Sequence, residues 1–125
     1  MRLLLDTHVV LWQLSGERSL SDAVREAVSD AEDLLFSAVS FAEIGVKAAA
    51  GKLAVPAGLT TLVETSGLRV LNLSAAHGLA VADLPVHHRD PFDRLLIAQA
   101  MTEGLAVVTA DRRFEDYAIQ VVDAG

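Results

Sequence analysis

Pro91-Phe92-Asp93-Arg94-Leu95-Leu96-Ile97-Ala98-Gln99-Ala100-Met101-Thr102-Glu103-Gly104 runs without a linker into Leu105-Ala106-Val107-Val108-Thr109. The first part has a helical apolar pattern from Pro91 to Glu103. Gly104 stands where a left-handed helix end favours glycine. The second part is short, apolar and closed by polar residues, as a strand buried on both faces is. The same strand signature recurs at Arg2 to Leu5 and Leu34 to Ser37, and more weakly at Arg69 to Leu73 and Ile119 to Val122. Helical patterns separate them at Ser21 to Ala31, Ser40 to Ala50, Leu59 to Ser66 and Ala75 to Leu84. Parallel neighbours need crossover connections, and these are usually helices. The alternation therefore predicts an α/β fold, a three-layer α/β/α sandwich around a parallel sheet.

Capping chemistry marks several helix edges. Ser21 is placed to cap the second helix, and Ser40 with Glu43 three residues on has the spacing of a capping box. Gly51 is a second glycine stop, and Pro56 opens the next helix. No repeat, low-complexity tract or linker interrupts the chain, and 125 residues suffice for one domain with its own core, so residues 1–125 are expected to form a single domain. Cysteine is absent, which excludes disulfides, thiolate metal sites and cysteine nucleophiles. Asp6 cuts the leading apolar run short of a signal peptide, and no segment reaches the length of a membrane span. The expectation is a soluble cytoplasmic protein.

The acids carry the chemistry. Asp6 follows the first strand and Asp111 follows the strand ending at Thr109, and open parallel sheets bind ligands at the carboxyl ends of their strands. Glu43 and Asp93 are expected in the first turns of helices that start at the same sheet edge. Each alone is explained by a helix cap or the helix dipole. Four carboxylates converging on one edge repel one another unless a cation lies among them, and Mg²⁺ or Mn²⁺ suits an all-oxygen donor set. Such a site favours phosphodiester hydrolysis, because the ion activates water and neutralises charge on phosphoryl oxygens. The net charge of −7 opposes binding to nucleic acid. However, Lys47, Arg89, Arg94, Arg112 and Arg113 each lie within four positions of one of these acids and could form a basic rim.

Leu5-Asp6-Thr7-His8 with Leu11-Trp12, Ser37-Ala38-Val39-Ser40-Phe41-Ala42-Glu43-Ile44 with Lys47, and Gly51-Lys52-Leu53 before Pro56 resemble the first half of a PIN-domain protein. Arg89-Asp90-Pro91-Phe92-Asp93-Arg94 leading into Leu95-Leu96-Ile97-Ala98-Gln99-Ala100, then Val108-Thr109-Ala110-Asp111 with Phe114, resemble the VapC toxins of toxin–antitoxin pairs. The resemblance spans nearly the whole chain. It implies a sheet of five parallel strands, a Mg²⁺- or Mn²⁺-dependent endoribonuclease acting on RNA, inhibition by a small antitoxin, and a homodimer. It also implies Asp6, Glu43, Asp93 and Asp111 as the catalytic, metal-holding quartet. Asp90 competes with Asp93 for the third place; Asp93 aligns better, and Asp90 before Pro91 has the form of an N-cap.

Neighbouring residues have two readings each. Thr7 and Thr109 either support the carboxylates or simply belong to their elements. Arg94 and Arg112 either bind phosphates, the reading slightly preferred, or form surface ion pairs. His87-His88 are expected to be solvated loop residues, and Trp12 to pack in the core or an interface rather than stack on a base. One rival function is a PIN-like binding module without catalysis, which the complete quartet argues against. Another is an aspartyl-phosphate enzyme, but no strand ends in lysine and no Asp-x-Asp follows Leu5.

Overall fold

Strand side chains alternate between two cores, and this alternation builds the layers. The computed structural model describes residues 1–125. Five strands, β1 (Arg2–Leu5), β2 (Asp33–Ser37), β3 (Arg69–Leu71), β4 (Ala106–Thr109) and β5 (Val121–Asp123), form one sheet in the order β3-β2-β1-β4-β5. Every pairing is parallel, with Leu4 of β1 opposite Leu35 and Val107. Leu3, Leu5, Ala106 and Val108 point into one core with Val9, Val24, Ile44 and Val63. Leu4, Leu35 and Val107 point into the other, with Val39, Leu96, Ile97 and Phe114. Truncating a fully buried leucine such as Leu3 or Leu4 to alanine costs about 2–5 kcal/mol.

Six helices cover the sheet: α1 (Thr7–Ser15), α2 (Asp22–Asp30), α3 (Ala38–Ala49), α4 (Leu59–Thr65), α5 (Ala75–Ala80) and α6 (Pro91–Glu103). Short 3-10 turns occupy Val81–Asp83 and Arg112–Asp116. None of the helices is long and apolar enough to cross a membrane. The sheet order reverses around β1 and β4, so their carboxyl ends border the crevice where such sheets receive ligands.

The expected boundaries move at several places. The helix expected at Ser40 begins at Ala38, because Ser37 at the end of β2 takes the cap and its Oγ accepts the Val39 N–H at 3.0 Å. Ser40 is thus inside α3 and accepts the Thr7 hydroxyl at 2.7 Å, so no capping box forms and Glu43 lies beyond the first turn. Pro56 precedes rather than opens α4, which starts after Gly58. The segment Ala75 to Leu84 divides into α5 and a 3-10 turn, and β5 begins at Val121 rather than Ile119. Gly104, at φ 66°, ends α6 as its position predicts.

Candidate active site

Asp6 leaves β1 and immediately starts α1, yet its side chain makes no cap hydrogen bond. Its Oδ2 instead accepts the Thr109 hydroxyl at 2.8 Å, while its buried Oδ1 has no hydrogen-bond partner. Thr109, last residue of β4, also accepts the Asp111 N–H at 3.0 Å. One hydroxyl thereby fixes the two acids on either side of the crevice. Glu43 projects from α3, 1% exposed; its Oε2 accepts from Lys47 Nζ at 2.6 Å and its Oε1 is also without a partner. The four-residue spacing of Glu43 and Lys47 puts both on one helix face.

The other side of the site is built by α6 and the loop before it. Asp90 caps α6, its Oδ1 accepting the N–H groups of Phe92 at 2.9 Å and Asp93 at 3.1 Å, with Pro91 at the first helical position. Asp93 is left free to face the crevice. His88 Nε2 lies 2.9 Å from Oδ2 of Asp93 and 2.9 Å from Oδ2 of Asp111. The donor atoms of these three residues all fall within 4.8 Å of one another. His88 Nδ1 accepts the Asp90 N–H at 3.2 Å, so the ring proton sits on Nε2 and is donated to Asp111. That makes His88 an orienting group for Asp111, with Asp93 in close contact beside it. Asp111 is held further by Arg113, whose Nε and Nη2 reach its two oxygens at 3.0 and 2.9 Å.

Asp6, Glu43, Asp93 and Asp111 line a single cleft of about 340 Å³, together with His8, Trp12, Lys47, Asp90, Ala110 and Arg113. Their environments push the carboxyl groups apart. Burial raises Asp6, with the Thr109 hydrogen bond opposing it and the charge of Glu43 adding to it. Burial, then the charges of Asp6, Asp90, Glu43 and Asp111, raise Asp93 to about 8. Burial also pushes Asp111 upward, but hydrogen bonds from Arg113 and His88 outweigh it and bring the group down to about 2. Lys47 is raised by its hydrogen bond to Glu43.

The sequence profile of the PIN domain matches residues 3–120. The chain belongs to the PIN-domain family. Ribonuclease VapC22 of Mycobacterium tuberculosis is 32% identical over 119 residues, covering 91% of this PIN domain and 90% of the relative. Among solved structures, VapBC2 from Rickettsia felis bound to a promoter DNA fragment superposes with a TM-score of 0.75 at 14% identity, with all of both chains covered. A toxin–antitoxin complex from Klebsiella pneumoniae gives 0.66 at 16% identity, with 98% of each chain covered. These two likenesses show a shared fold.

Several expectations change in this PIN domain. His88 is not a solvated loop residue: it is 2% exposed, because Tyr117 Oη accepts the N–H groups of His87 and His88 at 3.1 and 2.8 Å and draws the loop inward. Only His87 stays exposed. No pattern in the sequence separates the two, since the signal is a tyrosine far along the chain. Arg94 does not face substrate. Its guanidinium donates to the carbonyls of Val81, Leu84, Pro85 and His88 at 2.9–3.3 Å, tying the loop to α6. Arg112 is exposed, and Arg113 takes the place beside Asp111. Of the two threonines, Thr109 supports a carboxylate and Thr7 holds Ser40. Trp12 packs partly on the core and also lines the cleft.

The donor set suits a hard divalent cation. Two buried carboxylate oxygens, on Asp6 and Glu43, have no hydrogen-bond partner in the protein, and leaving such oxygens unsatisfied costs about 1–3 kcal/mol each or more. Mutual repulsion among the acids, visible in the raised Asp93, adds to that cost. A cation coordinated by oxygen relieves both.

Proposed function

We propose that this PIN domain is an endoribonuclease dependent on Mg²⁺, with Mn²⁺ as a substitute, and the toxin of a toxin–antitoxin pair acting in the cytoplasm. The observation that carries the reading is the convergence of Asp6, Glu43, Asp93 and Asp111 on one cleft at the sheet's switch point, with two of their buried oxygens unpartnered. The similarity to a protein named a ribonuclease supports RNA as the substrate. Likeness to VapBC and toxin–antitoxin complexes is consistent with a protein inhibitor.

Asp6, Glu43, Asp93 and Asp111 would hold the ion. When bound, it supplies a more acidic water and positive charge toward the phosphodiester oxygens. The chain's own residues prepare the reaction. Thr109 fixes the carboxylate of Asp6, and His88 and Arg113 that of Asp111, so that little reorganisation is needed there. Lys47 and Arg113 stand at the cleft, where cations favour the phosphate backbone despite the chain's negative total. Asp93 holds a proton near neutral pH in the metal-free protein, and that proton must leave as the site loads.

The same acidic cleft is a receptor for arginine, so the antitoxin inhibits by inserting a basic side chain among the four acids. Exposed Val46, Leu79, Val86 and Met101 leave apolar surface for a homodimer. The deciding experiment is digestion of end-labelled total RNA by the purified chain. Cleavage in Mg²⁺ or Mn²⁺, loss in EDTA, and loss in Glu43→Gln are expected. Undiminished cleavage in EDTA, or by Glu43→Gln, refutes the assignment.

A further inference from the structure

The cleft has an aromatic wall that the acids do not explain. His8 and Trp12 are four residues apart on α1, hence on one face, and both line the cleft beside Asp6. Their ring centroids are 6.2 Å apart with planes tilted by 42°. At 1.5 Å of rise per residue, Trp12 stands about 9 Å along the helix from Asp6. The guanidinium of Arg18, an exposed residue past the end of α1, lies 4.0 Å over the indole ring. Trp12 is therefore neither wholly core nor freely solvated: part of it packs on the core, part faces the cleft, and a planar cation rests on its face.

We infer that Trp12, with His8 beside it, forms a nucleobase subsite that stacks a base of single-stranded RNA next to the bond that is cut. The inference rests on the ribonuclease reading and specifies how that site holds its substrate. Single-stranded RNA is gripped by stacking bases on aromatic rings, and the contact tolerates sequence because every base has a π face. An exposed cation–π contact is weaker than base stacking. A base therefore displaces the Arg18 guanidinium from the ring, and the freed arginine is then available to a neighbouring phosphate. This compensates for an acidic chain: the base is bound by a neutral surface rather than by net positive charge.

Trp12 is the only tryptophan, so its fluorescence reports on the subsite alone. The experiment titrates the full chain, with Ca²⁺ in place of Mg²⁺, with an adenosine hexaribonucleotide and with an abasic hexamer of the same backbone. A gel confirms that both remain intact. Affinity is measured separately by anisotropy of labelled RNA for wild type, Trp12→Phe and Trp12→Leu, the leucine keeping apolar bulk without a π face. The hexamer is expected to quench Trp12 and the abasic hexamer to leave it unchanged. Trp12→Leu should bind the hexamer roughly 5- to 100-fold more weakly, and Trp12→Phe should retain most of the affinity. Equal quenching by both hexamers, or wild-type affinity in folded Trp12→Leu while wild type still cuts total RNA, overturns the subsite and leaves the ribonuclease reading standing. If wild type neither binds the hexamer nor cuts total RNA, the ribonuclease reading falls and the subsite falls with it.

Discussion

Asp93→Asn should stabilise the metal-free protein, and by an amount that grows with pH. The carboxyl of Asp93 is raised from 3.8 to about 8 by burial and by four neighbouring acids. Its side chain is 15% exposed, so solvent screens it little. Between these two values the folded chain holds a proton that the unfolded chain has released, so stability falls as pH rises. The slope is about 1.4 kcal/mol per pH unit, and the full span of about four units gives roughly 6 kcal/mol as an upper bound. Asp6 is raised as well and shares the proton uptake, which spreads the transition and brings the yield below that bound. Asparagine keeps the volume and never ionises. The difference between Asp93→Asn and wild type should therefore be near zero at pH 4, increase through neutrality and level off above pH 8. Against a typical domain stability of 5–15 kcal/mol this is large, and it reads out directly in urea unfolding with EDTA at pH 5, 6, 7 and 8. Millimolar Mg²⁺ should restore the wild type and leave the variant nearly unchanged. A difference that stays constant across this range, or a variant less stable than wild type at pH 8, refutes the electrostatic account of the cleft.

Two other substitutions test the supports of the site. His88→Ala removes the donor that orients Asp111 beside Asp93 and should weaken divalent-metal affinity about 10- to 100-fold while the chain remains folded; unchanged affinity by calorimetry would make His88 a packing residue only. Arg94→Ala strands carbonyls of the loop 81–88 and should cost about 2–4 kcal/mol in urea unfolding, with Arg94→Lys recovering less than half, because an ammonium cannot match the planar fork; a loss under about 0.5 kcal/mol would contradict the clamp.

The layered fold was legible because period and composition change sharply between elements such as α6 and β4, where Gly104 separates a helix from four buried strand residues. The meeting of Asp6, Asp93 and Asp111 at one cleft was legible because strand ends and helix starts are local features. Short strands blurred at their edges: Leu73 reads as strand by composition, but β3 ends at Leu71. Glu43 reads as a first-turn residue but lies further into α3, since Ser37 and Ser40 are equally good caps and only the packing of Thr7 on Ser40 decides between them. The roles of His88 and Arg94 were illegible for a common reason. Both are set by Tyr117, whose hydroxyl meets both histidine amides and lies 3.4 Å from Arg94 Nη1, and that contact is encoded nowhere near either residue.

The most direct test of the central claim is calorimetric titration of the chelator-treated protein with Mn²⁺ in two buffers of different ionisation heat. The account predicts saturable binding to wild type with proton release at pH 7, and a loss of at least tenfold in affinity for each of Asp6→Asn, Glu43→Gln, Asp93→Asn and Asp111→Asn. Wild-type affinity in all four variants, or binding that releases no proton, would contradict a cation site built from these carboxylates.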